Sequence, residues 1–323
     1  MALVESSRQE NKGTTAEQKT PAAISVENVL FATDFSATSD AALPYATAIC
    51  RRFGATLHAA HILSEANLLL MTGGVDYVSM GTIYEDAHAE AQEKLDQMAS
   101  RLDVPIHCYV RHGQVWKGLA AIIEENEIDL IVVGTHGRTG LGKLLLGSVA
   151  EVILRHAPCP VLTVGPKVSG RAKLPAFEAK GHDVAPLELE LLQILFATNF
   201  ASDAPRMAQT AVALAQAFRS QLALMHVLED YAQLGQRPGP MEEGIRRLRD
   251  LIPKDVVLPY TPETLLEFGS ASECILRFAE EREADLIVLG ARTSAEVGTT
   301  HLPWSTAHHV IAHAPCPVLT IRA

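Results

Sequence analysis

The stretch Leu30–Phe35 reads LFATDF, and the same pattern returns at Leu195–Phe200 as LFATNF. A second pair of stretches repeats with it: Ile128–Gly137 reads IDLIVVGTHG, and Ala284–Thr293 reads ADLIVLGART. The first pair is separated by 165 positions and the second pair by 156, so the second copy has a shorter middle segment. The chain therefore consists of two homologous units, each long enough to bury its own core.

Within each unit, short apolar runs alternate with longer segments of helical period. Runs such as Leu130–Val133 are apolar on both faces, which is typical of a parallel sheet covered by helices on both sides. The predicted strands of the first unit are Val29–Thr33, Thr56–Leu63, Ile106–Val110, Leu130–Val133 and Val161–Val164. Its predicted helices are Ser39–Phe53, Ile83–Leu102, Val115–Glu125 and Lys143–His156.

The second unit repeats this order. Its predicted strands are Ile194–Thr198, Leu222–Leu228, Thr264–Phe268, Leu286–Leu289 and Val318–Ile321, and the proline-containing segment Glu229–Leu258 predicts a reduced or irregular helix. The predicted fold class is α/β, with two tandem domains that are each an open five-stranded parallel sheet with helices on both faces, Rossmann-like in architecture.

Composition predicts where the domains begin and end. Residues 1–25 are rich in Ser, Thr, Glu, Gln and Lys without an apolar segment, which predicts a disordered tail rather than a secretory signal. Residues 166–190 contain several Pro, Gly and Lys and are predicted to be a linker. The first domain is then expected at 26–165 and the second at 191–323.

Charge and cysteine content exclude several classes of protein. The net charge of −11 argues against a general nucleic-acid binder, although a local basic patch is left open. No apolar run approaches the roughly 20 residues that span a bilayer. Five widely spaced cysteines without a CxxC pair favour reduced thiols in the cytoplasm. We therefore expect a cytoplasmic protein with neither a membrane nor a nucleic acid as partner.

Two loops of the first unit are expected to meet at the carboxyl ends of its strands. One carries Thr33 and Asp34, and the other runs from Gly134 to Ser148. Glycines let backbone N–H groups approach phosphate oxygens, and a helix that begins near Gly147 or slightly earlier adds unpaired N–H donors. Arg138 and Lys143 either add positive charge to this site or are solvated side chains.

Part of the second loop matches a different motif. Gly137–Lys143 satisfies the GxxxxGK portion of a Walker A motif. The next residue is Leu144, whereas the motif requires Ser or Thr to bind magnesium, and it normally follows the first strand of a domain rather than the fourth. We therefore rank a Walker A NTPase well below the alternative that follows.

The same loop resembles the nucleotide-binding signature of the universal stress protein family. Gly134, two residues, Gly137, nine residues and then Gly147-Ser148 match G-x2-G-x9-G-(S/T), and the stretches TDFS at Thr33–Ser36 and PCPVLTV at Pro158–Val164 are also similar to the family. The resemblance covers both units and implies an adenine nucleotide alpha hydrolase-like fold with ATP as the ligand, with or without magnesium on its phosphates.

The resemblance also implies roles for individual residues. Asp34 would accept hydrogen bonds from the adenine or ribose side, and the Ile62 backbone would contact adenine. His136 would touch the nucleotide or simply be exposed. The other binding residues that the resemblance implies are Gly134, Gly137, Gly147, Ser148 and the Val149 backbone. Thr33 and Arg138 are candidates because they lie in the two loops. The competing interpretation of Asp34 is a turn or helix N-cap residue.

The second unit departs from the signature. It keeps Gly290 and Ser305, but Asn199, Thr293 and Trp304 stand where the first unit has Asp34, Gly137 and Gly147. A β-carbon and an indole in these places would crowd the crevice. We therefore expect one ATP site per chain, with a structural or dimerisation role for the second unit.

Three function classes remain open. The first is an ATP-binding stress or signalling module, the second a slow magnesium-dependent ATPase, and the third a nucleotide-independent, chaperone-like interaction protein. No Ser-His-Asp or Cys-His set can be assigned, and no general base is evident. Structural roles are expected for the repeated His61 and His226 and for Cys159. Family domains pair through their fifth strands, which implies a pseudo-dimer within the chain or a homodimer.

Overall fold

The computed structural model describes residues 25–64, 77–135, 146–168, 189–229, 239–291 and 304–322. The first domain contains β1 Asn28–Ala32, α1 Ala37–Phe53, β2 Thr56–Leu63, α2 Tyr77–Ala99, β3 Ile106–His112, α3 Val115–Glu125, β4 Leu130–Gly134, α4 Ser148–His156 and β5 Val161–Val164. The second contains β6 Gln193–Ala197, α5 Ala204–Phe218, β7 Gln221–Leu228, α6 Pro240–Asp250, β8 Glu263–Phe268, α7 Ala271–Glu281, β9 Leu286–Ala291, α8 Trp304–His313 and β10 Val318–Arg322.

All ten strands belong to one sheet, in the order β3-β2-β1-β4-β5-β10-β9-β6-β7-β8. Strands within each domain pair in parallel, whereas β5 and β10 pair antiparallel with Leu162 opposite Leu319. Two threonine hydroxyls add matching bonds across this junction: Thr163 donates to the Val318 carbonyl and Thr320 to the Val161 carbonyl, each at 3.1 Å. The expected pairing of the fifth strands within the chain is confirmed.

Helices cover both faces of the sheet. Successive strand residues point to opposite faces, so that Phe31 and Phe196 pack under α1, α2, α5 and α6, while Leu30 and Leu195 pack under α3, α4, α7 and α8. Each apolar layer runs through both domains without a break. None of the helices in the described ranges is long and apolar enough to cross a membrane.

The predicted strands agree with the structure to within two residues at each end, and both domains are α/β as expected. The reduced helix of the second domain is confirmed, because α6 has 11 residues where α2 has 23. The helix predicted at Lys143–His156 begins later, at Ser148, after an extended Gly147. The predicted tail, most of the predicted linker and the Walker A-like residues 137–143 lie outside the described residues.

A buried histidine anchors a polar network in the first domain. His58 is almost fully buried, with Nδ1 3.1 Å from the Tyr109 hydroxyl and Nε2 3.1 Å from Asn28 Oδ1. The Tyr109 hydroxyl donates to Asn126 Oδ1 at 3.0 Å, at the end of α3. The network ties three strands to one helix, and the equivalent of His58 in the repeat is the small apolar Ala223.

We expect the free energy of unfolding to fall as the pH is lowered from 7 towards 5. Burial is the first cause that lowers the pKa of His58, His226 and His308 below the ordinary 6.5. The unfolded chain, whose histidines have the ordinary pKa, therefore binds protons more readily than the folded chain. The stability contributed by the neutral imidazoles is fully present above pH 6.5, and it is lost as the pH falls through 6.5 towards the folded pKa. Urea unfolding at a series of pH values measures this, and His58→Gln should flatten the dependence. A free energy of unfolding that rises as the pH falls from 7 to 5 would contradict the lowered pKa of these histidines.

Candidate functional site

The strand order reverses between β1 and β4, and the loops that follow these strands diverge there. Ala32 pairs with Val133, so that Thr33 and Gly134 leave the sheet side by side at its carboxyl edge. An open parallel sheet leaves a crevice at such a point, which makes it the expected place for a ligand. The structure thus brings the two predicted loop starts together.

The loop after β1 is a compact turn held by its own side chains. The Phe35 N–H donates to Thr33 Oγ1 at 3.0 Å, and the Ser36 N–H donates to Asp34 Oδ1 at 3.0 Å. Ser36 then caps α1 by accepting the Ser39 N–H at 3.2 Å. Phe35 has φ of 57°, a left-handed conformation that is rare for an aromatic residue. The turn therefore fixes where the Asp34 carboxylate lies.

His61 supports this turn from the neighbouring strand. Its Nδ1 donates to the Thr33 carbonyl at 2.8 Å, and its ring lies 4.6 Å from the Phe35 ring. The Lys94 ammonium of α2 lies 5.4 Å from the centre of the Phe35 ring. The structural role expected of His61 is confirmed, while the participation of Phe35 and Lys94 was not predicted from the sequence.

The second domain builds the same support. His226 Nδ1 donates to the Thr198 carbonyl at 2.8 Å and its ring lies 4.3 Å from Phe200, which has φ of 58°. The Arg247 guanidinium lies 4.1 Å from the centre of the Phe200 ring, where the first domain uses Lys94. In the sequence, this support can be found by comparing the two copies of the repeat, in which Phe200 and His226 match Phe35 and His61.

The two domains differ in charge at the turn itself. In the second domain the Ala201 N–H donates to Asn199 Oδ1 at 3.2 Å, which is the same contact that Ser36 makes with Asp34. A neutral amide thus forms the turn as well as a carboxylate does. The negative charge of Asp34 is not needed for the turn, and its field contributes, after burial, to the raised pKa of Asp40.

Gly134 is packed against the start of α1. A β-carbon at this position would lie 2.6 Å from the Thr38 carbonyl oxygen and 3.0 Å from the Ser39 nitrogen. Only a residue without a side chain allows β4 and α1 to approach this closely. Helix packing alone therefore accounts for this glycine, whether or not it contacts a ligand.

The start of α4 supplies hydrogen-bond donors at the same edge. The Gly147 N–H donates to the Thr135 carbonyl at 2.7 Å, so this amide hydrogen is engaged within the protein. Ser148, Val149 and Ala150 form the first turn, whose N–H groups have no partner within a helix, and the positive end of the helix dipole lies there. These amides can bind an anion such as phosphate.

Of the remaining predicted binding residues, only Ile62 lies in the part of the chain that the structure describes. Ile62 is buried near the end of β2, where it pairs with Arg111 of β3, and its side chain packs against α3, since its Cδ1 would be 2.8 Å from a β-carbon on Gly118. His136, Gly137 and Arg138 lie outside the described residues, as does Lys143.

The cysteines are not part of this site, and Cys159 lies before β5 at the opposite edge of the sheet. All five cysteines are free, and burial raises the pKa of Cys159 to about 12, as expected of a structural residue. Within the described ranges, no three His, Cys, Asp or Glu side chains form a group that could hold a metal ion.

Comparisons with known proteins agree over both halves of the chain. The family model described as "Universal stress protein family" matches residues 25–165 and 191–322. Universal stress protein MJ0531 from Methanocaldococcus jannaschii is 31% identical over 138 residues, which are 43% of this chain and 81% of that protein. Universal stress protein A homolog 1 from Coxiella burnetii is 33% identical over 140 residues, 43% of this chain and 95% of that protein.

The fold likeness includes both domains. The crystal structure of a universal stress protein from Archaeoglobus fulgidus superposes with a TM-score of 0.67 at 22% identity. The superposition covers 91% of this chain and 98% of that one, so it includes both domains.

Proposed function

The chain belongs to the universal stress protein family, and we propose that its first domain binds one ATP while its second domain serves as a structural partner in a stress-response or signalling module. The observation that carries this proposal is the difference between Asp34 and Asn199. Both side chains make the same turn, but only the first domain adds a negative charge that the turn does not require.

The described residues fit an adenine nucleotide. A carboxylate suits the N–H and O–H donors of adenine and ribose, which is the role proposed for Asp34 beside the Ile62 backbone. The first-turn amides of Ser148 and Val149, with the glycine loop before them, would hold the phosphates; when bound, ATP supplies the negative charge that the helix dipole stabilises. His136, Gly137 and Arg138 are proposed as further contacts from that loop.

The second domain is suited to a supporting role because it contacts the elements around the proposed site. Gly165 follows β5, and a β-carbon there would lie 3.4 Å from the Ile311 carbonyl of α8 and 3.8 Å from Thr135 Oγ1. Arg322 of the second domain donates to the Arg155 carbonyl in the last turn of α4. The helix that would bind phosphate is thus held at its far end by the second domain.

We expect one ATP per chain, retained without hydrolysis. Mass spectrometry of ligand released from gently purified protein, followed by calorimetric titration with ATP and magnesium, measures both the occupancy and the turnover. Gly137→Trp should abolish binding, and Thr293→Trp, at the matching place in the second domain, should leave it unchanged. Two ATP per chain would contradict the single site. Formation of ADP in the presence of magnesium would favour the ATPase alternative. No bound nucleotide after addition of ATP would favour a nucleotide-independent interaction protein.

A further inference from the structure

Two histidines meet outside the proposed nucleotide site. His88 lies in α2 and His112 is the last residue of β3, and His88 Nδ1 is 2.9 Å from His112 Nε2. The ring planes differ by 6° and the ring centres are 5.1 Å apart, so the two rings meet edge to edge rather than face to face. Their nitrogens, rather than their carbon edges, therefore face each other.

A hydrogen bond between two imidazole nitrogens requires that one of them present a lone pair. When the donating ring takes its other tautomer, its proton moves to the far ring nitrogen, and both facing nitrogens then present lone pairs. Two nitrogens at adjacent corners of a square-planar copper(II) ion, each about 2.0 Å from it, lie about 2.8 Å apart, close to the separation in this pair. In the hydrogen-bonded pair the two nitrogens point at each other, so both rings must rotate about χ2 to direct their lone pairs at one ion; His112 is exposed and His88 is half-buried.

From this geometry we propose that His88 and His112 bind one divalent transition-metal ion, with copper bound most tightly. Imidazole nitrogen is a ligand for copper, nickel and zinc, and copper(II) forms the most stable complexes in this series. Since no third His, Cys, Asp or Glu completes a cluster among the described residues, water fills the other coordination positions. The bound ion is therefore exchangeable, and it links α2 to β3.

Two neighbouring groups affect an ion at this pair. Tyr84 is one helical turn before His88, and its ring is 5.7 Å from that of His112, so it closes one side of the pair. The guanidinium of the adjacent Arg111 is held 3.0 Å from Glu125, in an ion pair that compensates its positive charge. The site belongs to the first domain alone, because Phe268 occupies the place of His112 in the repeat.

A second histidine pair provides the competing site. His309 and His313 are one turn apart in α8, with ring centres 4.3 Å apart in a stacked arrangement. His313 Nδ1 donates to the His309 carbonyl at 2.8 Å, which occupies that nitrogen. Because these two rings stack face to face, their nitrogens do not point towards a common ion. This pair is therefore less suited to binding a metal ion than His88 and His112.

Titration of the untagged full chain with copper(II), nickel(II) and zinc(II) chlorides tests the proposal. We expect about one copper ion per chain, with weaker zinc binding, and an affinity for copper that falls about tenfold or more in His88→Gln and in His112→Gln. Electron paramagnetic resonance of the copper form should show two imidazole nitrogens in the parent protein and fewer in each variant. Circular dichroism identifies any variant that fails to fold.

The control is His309→Gln, which should leave copper binding unchanged. Unchanged affinity in both His88→Gln and His112→Gln overturns the proposal, and so does an equal loss in the His309→Gln control. Nucleotide binding is a separate readout: if the metal site fails while one ATP still binds, only the metal proposal is lost.

Discussion

Asp34→Asn is expected to weaken ATP binding by roughly 10- to 100-fold while leaving the fold intact. A hydrogen bond to a charged group contributes about 1.5–3 kcal/mol, which corresponds to this range of affinity. In the variant, the amide oxygen keeps the contact with the Ser36 N–H, as Asn199 does with Ala201. The second carboxylate oxygen becomes an NH2 group, which cannot accept a hydrogen bond from adenine or ribose.

The two halves of the chain provide the control for this experiment. Asn199→Asp makes the reverse change and should neither alter the first site nor create a second one, because the second domain also lacks the glycine at the position of Gly137. Calorimetric titration with ATP measures affinity and stoichiometry, and urea unfolding checks that both variants fold. Wild-type affinity in Asp34→Asn would assign Asp34 to the turn alone and remove the main support for the proposed site.

Gly134→Ala is expected to lower the free energy of unfolding by about 1–3 kcal/mol, the usual cost of overpacking. The new β-carbon would lie 2.6 Å from the carbonyl oxygen of Thr38, and this contact is with backbone. Neither partner can move alone, since Gly134 ends a central strand and Thr38 belongs to the first turn of α1. The shift would also displace the turn that holds Asp34, so ATP affinity should fall with stability.

Gly290→Ala is the matched change in the second domain. There the β-carbon would meet Sδ and Cε of Met207 at 2.7 and 2.8 Å, and these atoms end a flexible side chain. We expect a loss of about 1 kcal/mol or less. Urea unfolding of the two variants measures the difference, and equal losses would show that the close approach of β4 to α1 is not the cause.

The strands were predictable because each is a short apolar run with turn residues on both sides. Leu130–Val133 and Leu286–Leu289 are buried on both faces, as the pattern indicates. For α4, the glycine signature indicates a start near Gly147-Ser148, where the helix begins, whereas the helical period extends it to Lys143. The period overshoots because Gly147 has no side chain that could mark the helix start by capping it. The sequence therefore predicts which element is present better than the residue at which it begins.

The candidate site was predictable in its location but not in its contacts. The repeat and the glycine spacing indicate the crevice at the ends of β1 and β4. The packing of Gly134 against Thr38 and the left-handed Phe35 depend on contacts between elements, which local pattern does not report. His88 and His112 are 24 positions apart on a helix and a strand, so no spacing rule connects them.

The antiparallel pairing of β5 with β10 makes each chain an obligate one-to-one partnership between unlike halves. In a dimer of separate subunits, dilution shifts the equilibrium towards monomers, and mixed populations exchange partners. Covalent linkage replaces that equilibrium with an effective concentration set by the linker, which is independent of protein level in the cell. If the first half alone binds ATP, every molecule has the same composition of one binding and one supporting half, whatever its abundance.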